Sequence, residues 1–196
     1  MPIPSFSASG VLPHCVNNNP TDPNSRSPYR ATIFELVEAF CTSRERANLL
    51  LGLNQYRKHL FEGGFVNGFQ WIDGSFVENV EVRRNRPPRD IDIITFFHRP
   101  NQYMGQEKDW RHIFSTNIHP IYFDSEKMKP IFLCDTYCAE LDSHPRALIS
   151  SATYWSGLFS DTRESGMKKG IVEISLAYEV AEFDDVANLV RSRFDV

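Results

Sequence analysis

The sequence predicts an α/β (α+β) protein in which a mixed sheet of about four or five strands carries helices packed mainly on one face. Two observations predict this class. Segments with helical periodicity alternate with a few short runs of strand-forming residues. The chain also has 196 residues with 41% hydrophobic and 23% charged side chains, which is ordinary for one globular domain.

The first 28 residues contain six of the twelve prolines, together with several asparagines and serines. This composition disfavours a packed helix or a central strand. We therefore expect an extended Pro-rich arm over 1–28 and a single domain over 29–196. The arm can lie over the domain or reach another subunit. Because it offers little to bury on its own domain, we favour a homo-oligomer contact through the arm.

The N-terminal residues carry no basic region followed by an apolar stretch, as a secretory signal would. No run of eighteen apolar residues occurs, so no transmembrane helix is expected. These features predict a cytoplasmic location and no membrane partner.

Two helices are expected before the first strand. Ser27 can act as an N-cap and Pro28 suits a first helical turn, which predicts a helix over 29–40. Thr42 and Glu45 match a capping box. They predict the start of a second helix, which ends at the Gly-Gly pair that follows it.

Four later runs are rich in β-branched and aromatic residues and predict strands. They are 69–72, 90–97, a stretch within 131–141, and 170–176. Helical patterns cover 146–159 and, more briefly, 184–194. Segment 99–128 has no pattern that predicts an element.

Asp90 and Asp92 are two residues apart on a predicted strand, so their side chains share one face. Ile91 and Ile93 then point to the opposite face, toward the core. Two carboxylates held so close repel each other, and a divalent cation relieves the repulsion. Magnesium suits a few carboxylates with water and phosphate oxygens. A D-x-D pair alone can also be a simple turn or cap.

Gly74 and Ser75 lie at a bend between a predicted strand and a predicted helix. A glycine there lets backbone N–H groups approach an anion closely, and the serine adds a hydroxyl donor. The pair could therefore hold the terminal phosphates of a nucleotide whose magnesium is bound by the aspartates. A plain turn is the alternative.

Asp135 interrupts an apolar predicted strand, IFLCDTYCAEL. An unpaired buried charge costs several kcal/mol, so this carboxylate needs a partner, and a metal on the neighbouring strand would supply one. Asp135 could also accept the proton of an attacking hydroxyl. Glu140 and Asp142 compete for this position, but they have the other parity and lie nearer the end of the strand.

Two basic stretches accompany these residues. Arg163, Lys168 and Lys169 flank a glycine and could neutralise charge on phosphates, or form an exposed hairpin loop. Residues 83–89 read RRNRPPR, and these arginines, Arg89 included, could grip a triphosphate or a nucleic-acid acceptor, or lie in solvent.

Several function classes are disfavoured. The net charge of −4 argues against a dedicated duplex-DNA binder. No G-x-x-x-x-G-K-[ST] motif occurs, which argues against a P-loop NTPase. The four cysteines form no C-x-x-C pair and the six histidines show no ligand spacing, so a zinc site is not expected.

The segment WIDGSFVENVEVRRNRPPRDIDIITFF resembles the signature of the DNA polymerase beta-type nucleotidyltransferase superfamily. The wider chain is similar to a group of small bacterial nucleotidyltransferase-like proteins, the minimal nucleotidyltransferases. The resemblance implies a polymerase beta-like nucleotidyltransferase fold in which Gly74 and Ser75 bind the triphosphate. It also implies that Asp90, Asp92 and Asp135 hold two magnesium ions, which manganese can replace.

The expected reaction transfers a nucleoside monophosphate from an NTP or dNTP to a hydroxyl and releases pyrophosphate. The acceptor could be a protein side chain, a short single-stranded nucleic acid, a tRNA end or a small molecule, and the short chain favours the first two. Such enzymes would act in bacterial toxin–antitoxin systems or antiviral defence. The alternative is a non-catalytic binding partner with this fold, acting as an antitoxin-like regulator.

Overall fold

The computed structural model describes residues 3–17, 21–106, 108–163, 166–194 and 196, and within these a five-stranded mixed sheet forms the centre of the molecule. Its strands are β1 (Tyr29–Ala31), β2 (Gly68–Asp73), β3 (Ile91–Phe97), β4 (Cys134–Glu140) and β5 (Val172–Ser175). The spatial order is β1-β5-β2-β3-β4. The β1–β5 and β3–β4 pairs are parallel, whereas β2 is antiparallel to both of its neighbours.

The described α-helices are α1 (Ile33–Phe40), α2 (Arg44–Glu62), α3 (Val80–Arg84), α4 (Trp110–Ile113), α5 (His119–Tyr122), α6 (Ser125–Phe132), α7 (Pro145–Phe159) and α8 (Val180–Arg193). A π-helical turn, Phe114–Ile118, joins α4 to α5. These short elements occupy the segment whose sequence predicted no element. No described helix is both long enough and apolar enough to cross a membrane.

The two faces of the sheet carry separate cores. On one face, Ile91 and Ile93 of β3 join a large cluster with buried residues of α1, α2, α6 and α8. On the other face, Ile94 and Phe96 join a smaller cluster with Phe159 of α7. The prediction of a mixed α/β sheet is therefore confirmed, and the alternation along β3 places Asp92 on the face of the smaller cluster.

The predicted start of the first helix was wrong. Tyr29–Ala31 form an edge strand paired with β5, and α1 begins only at Ile33. The reason is local: Thr32 and Glu35 make a reciprocal capping box that fixes the helix start there. The second helix is likewise capped by Ser43, one residue after the expected position.

The N-terminal arm packs within its own domain. Leu12 is completely buried, and its backbone N–H donates to the carbonyl of Val77 while its own carbonyl accepts from Gly170. The hydroxyl of Tyr29 donates to the carbonyl of Pro13. The expectation that the arm has little to bury was therefore wrong, and a homo-oligomer stays a prediction without that reason. Residues 1–2 and 18–20 of the arm lie outside the described residues.

Candidate functional site

Three aspartates form a row across neighbouring strands. Asp73 of β2 is paired with Asp92 of β3, which is paired in turn with Asp135 of β4. Directly paired residues project to the same face of a sheet, so the three side chains lie side by side. Asp90 immediately precedes β3 and shares the parity of Asp92. The structure thus brings four carboxylates together at one edge of the sheet.

These carboxylates line a cleft of about 480 Å³. The cleft contains eight of the nine residues that the sequence singled out, namely Gly74, Ser75, Arg89, Asp90, Asp92, Asp135, Arg163 and Lys169. The ninth, Lys168, is exposed outside the lining and forms an ion pair with Asp161 at 2.5 Å. A cleft of this size fits a ligand as large as a mononucleotide.

Gly74 is where the backbone approaches the carboxylates most closely. Its φ is +81°, a conformation that favours glycine, and a Cβ placed there would lie 2.0 Å from Oδ2 of Asp92. The Gly-Ser turn can therefore pack directly against the aspartate strand because Gly74 has no side chain. Any larger residue at position 74 would displace either the turn or the carboxylate.

The surroundings of Asp92 disfavour the ionised form of its carboxyl group. Burial, followed by the negative charges of Asp90 and Asp135, raises the pKa of Asp92, while Arg163 and Lys169 partly oppose this effect. A cation placed among these groups would relieve the repulsion.

Lys129 of α6 already supplies one positive charge there. Its Nζ lies 2.6 Å from Oδ2 of Asp90 and 3.3 Å from Oδ2 of Asp135. A hydrogen bond to Asp90 raises the pKa of the lysine. Ser125, at the start of the same helix, donates a hydrogen bond to Asp135. Nothing in the pattern of the α6 sequence points to these contacts, which depend on how the helix packs against β4.

Asp73 was missed by the sequence analysis, although it directly precedes Gly74 at the end of a predicted strand. Burial raises its pKa to about 7, against the opposing effect of Lys169. Its Oδ2 pairs with Nζ of Lys169 at 2.9 Å, while its Oδ1 is buried and has no hydrogen-bond partner among the described residues.

Lys169 is buried beneath the Gly-Ser turn. Besides Asp73, its Nζ donates to the carbonyl of Gly74 at 3.0 Å and lies 3.6 Å from Glu78. The side chain is 4% exposed, so this buried lysine holds the turn in place through these contacts. Its positive charge still acts on the cleft, because it lowers the pKa of Asp92.

Some arginines of the arginine-rich stretch form ion pairs with a buried carboxylate, and some line the cleft. Arg83 pairs with the buried Glu78, and Arg84 lies 3.3 Å from the same carboxylate. Arg84, Arg86 and Arg89 line the cleft, where Arg89 is exposed. Positive charge therefore lines the cleft together with the carboxylates.

The two competing carboxylates on β4 have other partners. Glu140 lies 2.7 Å from Arg99 and accepts a hydrogen bond from the indole of Trp110 at 2.8 Å. Asp142 pairs with His98 at 2.8 Å. Neither lines the cleft, which leaves Asp135 as the carboxylate that β4 contributes to it.

The donor set fits magnesium, since Asp90, Asp92 and Asp135 offer hard oxygen ligands. Within the described part of the chain, no three acidic, imidazole or thiol groups are already arranged around one point as metal ligands. Cation binding would therefore require the carboxylates to turn from the ammonium group of Lys129 toward the ion.

Fold and site together define a mixed α/β protein with a carboxylate-rich cleft at one edge of its sheet. The chain belongs to a family of unknown function, DUF6932, whose family model matches residues 4–175. The matched region includes most of the arm, the whole sheet and every residue lining the cleft. No curated protein and no solved structure matches the chain.

Proposed function

We propose that this protein has a polymerase beta-like nucleotidyltransferase fold and is a magnesium-dependent nucleotidyltransferase. It transfers a nucleoside monophosphate from an NTP or dNTP to a hydroxyl. The observation that carries the proposal is the contact between the Gly-Ser turn and the aspartate strand, where only a missing Cβ leaves room for the carboxylate of Asp92. The proposed hydrogen-bond donors to phosphate and the proposed metal ligands are therefore adjacent in the cleft.

Each group has a role that follows from its chemistry. Backbone N–H groups at Gly74 and the hydroxyl of Ser75 bind the terminal phosphates, with the exposed Arg89 and Arg163 at the rim of the cleft. Asp90, Asp92 and Asp135 would hold magnesium, for which manganese could substitute. When bound, the metal would supply positive charge that neutralises the phosphates and acidifies the attacking hydroxyl.

The acceptor oxygen forms a bond to the α-phosphorus, and the bond from that phosphorus to the bridging oxygen breaks. Pyrophosphate leaves with the bond's electron pair. The proton of the acceptor hydroxyl passes to the carboxylate of Asp135, which lies within the cleft.

The acceptor that we propose is a protein hydroxyl or a short single-stranded nucleic acid, in a toxin–antitoxin or antiviral defence role. A cytoplasmic location would accord with these roles. The cleft accommodates a mononucleotide and opens at a rim that carries Arg89 and Arg163, so a charged acceptor can approach from solvent.

The test is turnover by the purified protein. Each labelled NTP and dNTP is incubated with the protein and magnesium or manganese, and pyrophosphate release is measured with candidate acceptors. We expect Asp92→Asn to lower the rate at least about 100-fold, because it removes a metal ligand. Asp142→Asn, which alters an aspartate outside the cleft, is the matched control and should keep the rate. Equal rates in wild type and Asp92→Asn would contradict the assignment of the site.

A second candidate is a non-catalytic binding partner with the same fold. The observation that favours it is Lys129, whose ammonium group already neutralises Asp90 and Asp135. Under this candidate no triphosphate is turned over, and Lys129→Met leaves the protein inactive. Under the enzymatic proposal Lys129→Met removes a competing cation, so magnesium should bind more tightly than in wild type.

A further inference from the structure

One wall of the cleft is largely apolar, and the proposed chemistry leaves its hydrocarbon surface without a role. It consists of Tyr137 on β4, whose hydroxyl interacts with Asp135, together with Leu158 and Phe159 at the end of α7. Tyr137 is two residues beyond Asp135, so both side chains project from the same face of the strand. The aromatic ring thus stands beside the carboxylate row.

This wall is the margin of the smaller core. Phe159 is 3% exposed and belongs to that core, whereas Leu158 beside it is 50% exposed. The ring of Tyr137 packs on Trp155 with 4.5 Å between centroids, and Trp155 packs in turn on Phe159 at 5.5 Å. Tyr137 is therefore held from behind by a second ring while it also lines the cleft.

The strand order separates Tyr137 from the phosphate-binding side, whereas the end of α7 lies nearer that side, because the carbonyl of Ser160 accepts a hydrogen bond from the backbone N–H of Lys169 at 2.8 Å. Gly74 follows β2, Asp92 is on β3 and Tyr137 is on β4, and these strands are consecutive neighbours in the sheet. Adjacent strands lie about 4.8 Å apart, so the Gly-Ser turn and Tyr137 flank the aspartates at roughly 10 Å across the sheet. An elongated ligand that crosses the aspartates would contact both sides.

The two sides differ in chemistry in the way that the two ends of a nucleotide differ. The side of the Gly-Ser turn carries backbone donors, whereas the β4 side carries the aromatic ring of Tyr137 together with the ion pair of Lys129 and Asp135. Phosphates gain nothing from the apolar wall. The flat face of a nucleobase gains by stacking on it, because every base has a π-face.

We propose that Tyr137 and Leu158 form the nucleobase subsite of the cleft, an inference that rests on the proposed function. The base lies against the tyrosine ring on β4 and the leucine side chain at the end of α7. The triphosphate extends over Asp92 toward the Gly-Ser turn. Trp155 takes no direct part and holds the tyrosine ring in position.

The test compares two ligands that differ by the nucleoside. Titration calorimetry measures binding of the four common ribonucleoside triphosphates and of inorganic tripolyphosphate, with calcium replacing magnesium to prevent turnover. Tyr137→Ala should weaken triphosphate nucleotide binding about tenfold, the size expected for loss of one stacking contact. Leu158→Ser should weaken it severalfold. Neither change should alter tripolyphosphate binding, and Tyr137→Phe should bind nucleotides like wild type.

The control for Leu158 is Ile149→Ser, which alters an exposed apolar residue of the same helix outside the cleft. Since Leu158 is half exposed, its variant should fold normally and keeps the test independent of any instability in Tyr137→Ala. Nucleotide affinities that neither variant changes would overturn the subsite alone. An equal loss of tripolyphosphate binding would also overturn it. Failure of wild type to bind either ligand would instead contradict the proposed function, and the subsite with it.

Discussion

At the scale of single residues, the candidate site depends on the lack of a Cβ atom at position 74. Glycine at position 74 has φ of +81° and leaves space that the carboxylate of Asp92 fills. The carbonyl of the same residue accepts a hydrogen bond from the buried Lys169. The turn is therefore fixed from both sides, by a lysine below and by the aspartate strand beside it. In the proposed enzyme, such close fixing would align a phosphate with a metal ligand.

Replacing this glycine should lower the activity by much more than any loss of folding stability would explain. In Gly74→Ala the new methyl group would meet Oδ2 of Asp92 at 2.0 Å, so the turn or the carboxylate must move. A displacement of about 1 Å can lower a rate about 100-fold, and we expect a loss of that size in kcat/KM for pyrophosphate release.

The matched control is Gly157→Ala on α7, where an added Cβ meets no atom within 4 Å. Alanine should stabilise that helix by up to about 1 kcal/mol and leave the rate unchanged. Full activity in Gly74→Ala, or equal losses in the two variants, would count against the role of the turn.

The sequence was sufficient for residues whose positions follow from local periodicity. Asp90 and Asp92 share a face because side chains alternate along a strand, and this required no knowledge of the tertiary structure. Asp73 and Lys129 were missed for a different reason. The place of Asp73 beside Asp92 depends on the register between β2 and β3, and that of Lys129 on the docking of α6. Neither is set by local sequence.

At the scale of elements, helix α1 shows how one local signal can outweigh another. Ser27 and Pro28 match a helix start, yet the reciprocal hydrogen bonds between Thr32 and Glu35 fix it later. The residues between them pair with β5 instead. Parallel pairing of distant segments leaves no periodicity over three residues, so the short edge strand β1 could not be predicted.

The capping box gives a stability prediction. Thr32→Ala removes the side-chain oxygen that accepts from the N–H of Glu35 at 3.1 Å, and should lower the free energy of unfolding by about 1 kcal/mol. Thr153→Ala on the exposed surface of α7 is the control and should change it by less than about 0.5 kcal/mol. Urea unfolding at neutral pH measures both. Equal effects would show that the cap contributes nothing specific.

The cap also predicts a dependence on pH. The backbone N–H of Thr32, and then its hydroxyl, lower the pKa of Glu35 in the folded protein. The unfolded chain therefore binds this proton at a higher pH than the folded one does. The stabilisation is complete above the ordinary glutamate pKa of about 4.3 and is lost as the pH falls through the lower folded value. Glu35→Gln should make unfolding less sensitive to acid in that range, and an unchanged acid dependence would contradict this.

At the scale of the whole molecule, the arm is part of the fold. Its proline content predicts an extended course, but composition does not reveal that Leu12 enters the main core. The arm's backbone also bonds to Val77, in the turn after β2, and to Gly170, two residues before β5. Both connections lie close to the cleft, so the arm helps to hold its walls together.

Truncation of the buried leucine tests this role. Leu12→Ala should lower the free energy of unfolding by about 2–5 kcal/mol, as expected for a fully buried leucine. Val16→Ala alters a residue of the same arm that is 41% exposed and should cost less than about 0.5 kcal/mol. Denaturant unfolding of both variants gives the comparison. A loss below 1 kcal/mol for Leu12→Ala would mean that the arm is only loosely attached.

Under the proposed function, three carboxylates from two strands share divalent cations beside a glycine-serine turn. The most direct measurement is a titration of the intact protein with manganese, followed by electron paramagnetic resonance, with a nucleoside triphosphate present. We expect the wild type to bind manganese, Asp92→Asn and Asp135→Asn to bind it at least about tenfold more weakly, and Asp142→Asn to match the wild type. Manganese binding that survives both substitutions, or that the wild type lacks, would contradict the account.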